Sequence, residues 1–369
     1  MTDEKFTDGA IGLFECDRRI DNYYYIISNV VNTLKYVKSS NVKCIDVDQI
    51  KGIVDDANII YLHSLYCIPF NSILSLPLSS KIVWFSWGYD TYTADPIIPI
   101  KLYHKLTLRF LTKNSVIERI IGNYFTHLLH FKYRNKYNVL LSRISYYSGV
   151  FPYEYELIKK NNNSFKAKPL DFYYGSTKFF IPDVLNTDYN KNKRNIIIGN
   201  SAAWTNNHLD ALNALKKVPR DYYDKIIVPL SYGGSKEYIE TVKCFGINHF
   251  PKSFMALDSF MPLEDYLALV SNCKAAIFLL ERQQASDNIL MQIWYGAKVF
   301  LPYKSGMYDY LKSIGLYIYS IEYDLCEVRS ELDESCVIHN RKTLVDHYSS
   351  RSLIQRISRN TDIILNDLQ

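Results

Sequence analysis

Short apolar runs alternate with longer amphipathic stretches along this chain. Strands are predicted at residues 11–16, 43–47, 58–63, 81–86, 139–142 and 170–174, then at 195–198, 225–229, 275–280, 298–302 and 316–320. Between them, apolar positions recur at helical spacing in residues 22–38, 100–113, 207–217, 235–245, 262–272 and 288–295. Strands of unbroken apolar character are buried on both faces. Strand–helix alternation of this kind builds a parallel sheet covered by helices. Two polar stretches interrupt the pattern, at 159–169 and 186–195, and the second falls between two complete sets of strands. The expectation is an α/β chain of two doubly wound, Rossmann-like domains, residues 1–185 and 195–369, facing a cleft. Ligands in such sheets sit beyond the carboxyl ends of the strands.

Composition narrows the class. In 369 residues, 48% hydrophobic and 22% charged is globular, and excludes a collagen, a coiled coil or a mainly disordered chain. The seven cysteines show no C-x-x-C spacing, so neither a disulfide framework nor a structural zinc site is expected. The start MTDEKFTDGAIGLFEC has no basic-then-apolar leader, and no run of 18 apolar residues occurs, so a soluble or peripheral protein is expected.

Four strand ends carry polar chemistry. In NIIIGNSAAWTNNH, Gly199 permits a tight turn, Asn200 and Ser201 offer donors, and Asn206 or Asn207 can cap the next helix, whose free N–H groups favour an anion. The same residues also make an ordinary capped strand–turn–helix connection. In KIIVPLSYGGSKEY, Ser231, Tyr232, Gly233 and Gly234 bring backbone close to whatever fills the cleft, or simply make a turn. In AAIFLLERQQASDN, a fully apolar strand delivers Glu281, Arg282, Gln283 and Gln284, with Asn288 opening the next helix. Arg282 suits a diphosphate, and Glu281 a ribose or sugar hydroxyl. In the first half, KIVWFSWGYD ends in Trp87, Tyr89 and Asp90. The rings can pack on a sugar face, and Asp90 can take a hydroxyl proton. His63 ends an earlier strand and is the second choice of base, although a lone histidine there is more often structural. Asp46 and Asp48 form a D-x-D, but no other acids converge on it, so no metal site is expected.

The net charge is +5, and its placement matters more than its size. From Lys101 to Arg143 there are nine Lys or Arg and one acid, Glu118. Lys101, Lys105, Arg109 and Lys113 form a stripe beside Leu102, Leu106 and Phe110. That pattern fits a helix lying on an anionic membrane, and equally a solvated face over a core-facing one.

Taken together, IIIGNSAAWTNNH, IIVPLSYGGSKEYIETV and DYLALVSNCKAAIFLLERQQ…MQIWYGAKVFLP, with Trp87–Asp90 and His63, resemble the TDP-N-acetylfucosamine:lipid II N-acetylfucosaminyltransferase family, glycosyltransferase family 56. The likeness covers roughly residues 55–305. This chain keeps Asn200, Ser201, Asn206, His208, Arg282, Gln283 and Gln284 of the pattern. It departs at Ala202, Ala203, Glu281 and 285–288, where the donor sugar is read. The resemblance implies a metal-independent, cofactor-free GT-B glycosyltransferase. The C-terminal domain would hold the donor through Gly199, Asn200, Ser201, Asn206, Ser231, Tyr232, Gly233, Glu281, Arg282, Gln283, Gln284 and Asn288. The N-terminal domain would hold a polyprenyl-diphosphate-linked saccharide, with Asp90 and His63 as catalytic residues. Trp87, Tyr89, Lys101, Lys105, Arg109 and Lys113 would face acceptor or membrane. The last helix, near 345–367, would return to the N-terminal domain. The expected setting is the cytoplasmic face of the bacterial inner membrane, in O-antigen or common-antigen synthesis. Two alternatives are a sugar-nucleotide 2-epimerase of the same fold, and a nucleic-acid-binding protein using the 101–143 cluster. The second has the charge but no base-reading motif.

Overall fold

A computed structural model of the chain describes residues 1, 6–27, 34–92, 96–113, 125–173, 181–185, 188 and 190–369, with the side chains of 125 and 126 excluded. The chain divides into two compact units. One comprises Met1–Pro99, Thr126–Lys178 and Tyr348–Gln369, and the other Ile100–Phe125 and Phe179–His347. The division differs from the expected break near residue 190. Residues 100–125 group with the second unit because Leu106 and Phe110 pack on its core, and the final helix groups with the first because Ile357 and Ile364 lie in that core.

In the first unit, helix α1 (Thr7–Phe14) precedes strands β1 (Tyr24–Ile27) and β2 (Val42–Ile45), which pair in parallel. Helix α2 (Ile50–Val54), β3 (Ile59–Leu62), α3 (Phe70–Leu74), β4 (Lys81–Ser86), α4 (Tyr89–Tyr92) and, in the second unit, α5 (Lys105–Leu111) follow. Then come α6 (Phe125–Ser142), β5 (Tyr146–Gly149), α7 (Tyr153–Asn161) and β6 (Lys168–Pro169). Strands β3-β4-β5-β6 form one parallel sheet in that order. Its core is aromatic: Phe14 packs on Tyr61, Phe85 and Phe172 with ring centroids 5.3, 5.9 and 5.4 Å apart.

Four expectations fail in this unit. Residues predicted as a strand at 11–16 mostly belong to α1, because the buried Ala10, Ile11 and Phe14 share a helical face. The predicted helix 22–38 contains strand β1 instead; Tyr24 and Ile26 are buried while their neighbours are half-buried, the alternation of a strand, and residues 28–33 lie outside those described. Residues 139–142 end α6, and the strand begins four residues later. The ladder near 170–174 is confined to Lys168–Pro169, and 174 lies outside the described residues.

The second unit holds β7 (Asn195–Ile198), α8 (His208–Leu215), β8 (Ile226–Pro229), α9 (Lys236–His249), β9 (Phe254–Leu257), α10 (Leu263–Val270), β10 (Cys273–Ile277), α11 (Ser286–Trp294), β11 (Lys298–Leu301), α12 (Gly306–Ser313), β12 (Ile318–Ser320) and α13 (Glu334–Tyr348). Helix α14 (Ser350–Asn366) returns to the first unit. The sheet order is β12-β11-β10-β7-β8-β9, all parallel. Strands β8, β10 and β11 are buried at every position, which accounts for their apolar character apart from Lys274 and Lys298. Ser235, Ser305 and Ser349 start α9, α12 and α14 by accepting from the backbone N–H three residues on, at 3.2, 3.2 and 3.3 Å. The fold is α/β with parallel sheets. No helix among the described residues is long and apolar enough to cross a membrane.

Candidate active site

In the second unit's sheet, the chain leaves β7 toward β8 on one side and β10 toward β11 on the other. Beyond the carboxyl ends of β7 and β10 the two connections diverge, the position at which sheets of this kind take ligands. Gly199 closes the end of β7, its N–H donating to Ile277 O at 3.0 Å. Its φ is +69°, and a Cβ there would stand 2.8 Å from His208 Nε2 and 2.9 Å from Asn206 Oδ1. Glycine alone fits. Asn206 is buried and brackets the loop: Oδ1 accepts from Asn200 N at 3.2 Å, and Nδ2 donates to Ser201 O at 3.0 Å. It shapes the turn rather than capping a helix. Helix α8 starts at His208, after Asn207 in the left-handed region, with no side-chain cap.

The turn after β8 lies against this loop. Ala202 N donates to Tyr232 O at 2.7 Å, and a Cβ on Gly234 would meet Ala202 O at 2.3 Å, so the two backbones touch. Tyr232 shares a side-chain hydrogen bond with Asn200, and Ser231 is exposed. After β10, Gln284 joins the cluster. Its Nε2 donates to Asn200 Oδ1 at 3.2 Å, and its Oε1 accepts from Thr205 at 2.5 Å. Asn288 Oδ1 accepts from the Tyr266 phenol at 3.0 Å. Arg282 is buried and donates from Nη1 to Gln283 O at 2.8 Å. Gln283 Oε1 and His208 Nε2 are buried with no hydrogen-bond partner among the described residues. Burial drops the His208 pKa to about 3, so its ring is neutral. Buried polar atoms are normally paired, and these two sit on the connections that follow β7 and β10.

Residues 102–107 complete this end of the sheet. Asn207 Nδ2 donates to Leu102 O and Leu279 O, both at 3.0 Å, and its Oδ1 accepts from His104 N at 2.9 Å. Asp210 accepts from the N–H groups of Leu106 and Thr107 at 2.8 and 2.9 Å, holding the start of α5. His104 Nε2 lies 2.6 Å from Glu281 Oε1. Burial pulls the His104 pKa down, but the hydrogen bond and charge of Glu281, with Asp210 and Glu322 beyond, outweigh it and hold the pKa above its ordinary value. Sequence reasoning missed His104, Asn207's bridging role and Asp210, because their partners lie 72 to 177 residues away in the chain.

The basic stripe is altered by the same packing. Leu106 and Phe110 lie against the second unit's core, Leu102 is buried, and Lys113 pairs with Glu237. Lys101, Lys105 and Arg109 are exposed, without the apolar half that an inserting helix requires.

At the corresponding strand ends of the first unit, Asp90 is buried and its carboxylate is saturated. Oδ2 accepts from Trp84 Nε1 at 2.7 Å and Leu65 N at 3.0 Å; Oδ1 accepts from Trp87 N at 3.1 Å and Ser86 Oγ at 3.4 Å. Burial raises its pKa, while these bonds oppose the rise. Four donors occupy the lone pairs that a base needs, so the geometry ties loops 64–67 and 86–88 together. His63 is buried, with its ring 4.8 Å from that of Phe85 and 6.1 Å from that of Phe14. Burial pushes its pKa well down, aided by the charge of the Met1 amino group. Trp87 stacks on Phe6 at 5.5 Å, and the exposed Tyr89 meets Tyr66 edge-on at 5.7 Å. His63 and Asp90 line different cavities of about 690 and 350 Å3, both bordered by Cys67 and Ile68. Asp46 belongs to a capping box with Gln49.

Residues 158–325 match the profile described as 4-alpha-L-fucosyltransferase glycosyl transferase group 56. This is a glycosyltransferase, and its segment 158–325 is similar to group 56. A glycosyltransferase from Rickettsia africae has a similar fold, with TM-score 0.65, 13% identity, and 98% of this chain and 94% of that one covered. So does Anabaena Alr3699/HepE, solved with UDP and glucose, at TM-score 0.56 and 9% identity over 87% and 86%. OtsA, solved without ligand, gives 0.61 and 11% over 99% and 96%. The fold is therefore GT-B.

The matched segment contains all three polar loops of the second unit and excludes His63, Asp90 and 101–113. Within this glycosyltransferase, Gly199, Asn200, Ser201, Asn206, Tyr232, Gly233 and Gln284 form one cluster, with Asn288 reached through Tyr266. Glu281 turns to His104.

Proposed function

We propose that this glycosyltransferase moves an amino-deoxy sugar of the N-acetylfucosamine type from a TDP-linked donor to a polyprenyl-diphosphate-linked saccharide. The reaction serves O-antigen or common-antigen synthesis at the cytoplasmic face of the bacterial inner membrane. The observation that carries the donor half is the convergence of three polar loops beyond β7 and β10, around two buried polar atoms without a hydrogen-bond partner among the described residues. Arg282 binds the diphosphate, and Gln283 and Gln284 read sugar or base. The Anabaena enzyme's UDP and glucose, and the UDP and GlcNAc of the pneumococcal O-GlcNAc transferase GtfA, support a nucleotide-sugar donor. Asp90 shapes the acceptor-side loops, and transfer requires a separate base only if the anomeric centre inverts.

Saturation-transfer NMR with TDP-, UDP- and GDP-sugars tests the donor. A TDP-amino-deoxy sugar is expected to give the strongest signal. Binding of none of the three sinks the reading. Release of an epimerised sugar nucleotide without acceptor replaces it with the epimerase.

A further inference from the structure

Helix α6 presents a surface that donor chemistry does not use. Tyr137, Leu140 and Leu141 are buried against the first unit, while on the other side Leu128, Phe131 and Val139 are 54%, 76% and 52% exposed. At about 100° per residue these three fall on one stripe with Asn135 and Ser142. Lys132 and Lys136 flank the stripe on one side and Arg134 on the other, all exposed. Between Glu118 and Glu154 the chain carries no acid. The patch continues beyond the helix. Lys136 Nζ sits 5.2 Å over the Phe70 ring, and Lys136, Tyr137 and Leu140 form one wall of the 350 Å3 groove that reaches Asp90.

A monomeric surface seldom leaves large apolar side chains in a row without a partner. Three occupants fit parts of this one. Nucleic acid would use the cations but has no use for Leu128 and Val139. A second copy would cover the apolar stripe but bring two acid-free helices together. An anionic bilayer uses both halves: apolar side chains enter the headgroup–acyl boundary, and flanking cations meet lipid phosphates.

We propose that α6 is the membrane-docking element, inserting Leu128, Phe131 and Val139 while Lys132, Arg134 and Lys136 pair with anionic headgroups. The proposal deepens the reading of a membrane-borne acceptor, and it transfers the contact from the 101–113 stripe to α6. Apolar and cationic groups occur together on α6, whereas α5 buries its apolar side in its own core.

The test is co-sedimentation of the full chain with phosphatidylcholine vesicles, with or without phosphatidylglycerol. Wild type should bind the anionic vesicles and weaken with salt. A Leu128→Ser/Phe131→Ser variant and a Lys132→Gln/Arg134→Gln/Lys136→Gln variant should each lose at least tenfold in affinity. A Lys101→Gln/Lys105→Gln/Arg109→Gln variant should stay within twofold. Phe131→Trp should add a component whose emission shifts to the blue on anionic vesicles. Wild type left in the supernatant, α6 variants that bind as wild type, or tighter binding to DNA or RNA than to vesicles overturns the proposal. Donor binding by saturation transfer is followed in parallel. Vesicle binding without donor binding supports α6 and sinks the donor assignment; donor binding without vesicle binding does the reverse.

Discussion

The two units have parallel sheets of related design, yet their strand ends are finished differently. In the second unit the loops after β7, β8 and β10 interlock, and Gln283 Oε1 and His208 Nε2 are buried with no partner among the described residues. In the first unit the carboxylate at the end of β4 receives four internal hydrogen bonds, and the histidine after β3 sits among aromatic rings. We read the unspent capacity of Gln283 and His208 as room for a ligand, while Asn200, Asn206 and Gln284 beside them, like Asp90 in the first unit, hold the protein's own loops. Position beyond a strand end nominates a residue, and remaining hydrogen-bonding capacity decides between these two tasks.

The largest expected effect lies on the ligand side. Arg282→Ala should raise the donor dissociation constant at least tenfold, since a charge-assisted contact contributes about 1.5–3 kcal/mol. Calorimetric affinity unchanged in a folded variant would break the contrast. On the other side, Asp90→Asn turns one carboxylate oxygen into a donor facing a backbone N–H. It should lower unfolding free energy by about 1–3 kcal/mol and leave turnover of the folded fraction within about tenfold. A turnover loss of about 10²–10⁴ with unchanged stability would restore Asp90 as the base.

Much of the second unit was legible because its strands are buried on both faces and so read as plain apolar runs. Lys298–Leu301 and Asn195–Ile198 are examples. Strand β9 was missed because it is mostly only half-buried, with Met255 exposed. The three polar loops were legible from their place after those strands. His104 was not, since nothing near it in sequence points to Glu281. In the first unit, α1 was misread because eight residues give too little period to separate helix from strand.

A smaller effect probes the loop itself. Gly199→Ala should cost roughly 1–2 kcal/mol, because a side chain at positive φ is strained and its Cβ meets His208. Gly52→Ala, with open space around it, should be neutral or stabilising. Equal melting temperatures for the two variants would remove the claim that the β7 turn is built around glycine.

The smallest effect concerns His104. Its folded pKa lies above the unfolded value of about 6.5, so its contribution is fully present below that pH and is lost as pH rises through the folded value. Both partners are about one-third exposed, which limits the gain to below about 1 kcal/mol. The melting-temperature gap between wild type and His104→Gln should therefore be widest near pH 5–6 and narrow toward pH 8. A gap that widens with pH would mean the pair is held by something other than a charged histidine.

The first unit's core contains Ala10, Ile11 and Phe14 from the start of the chain and Ile357 and Ile364 from its end. Every strand and bridging residue of the second unit, including Leu106 and Phe110, precedes α14. Synthesis runs from N- to C-terminus, and domains tend to fold as units during it. The unit that begins the chain is therefore completed last. Until α14 emerges, Phe14 and its aromatic neighbours lack part of their cover, so a nascent chain that has cleared the ribosome only to about residue 347 would carry a finished second unit attached to an unfinished first one.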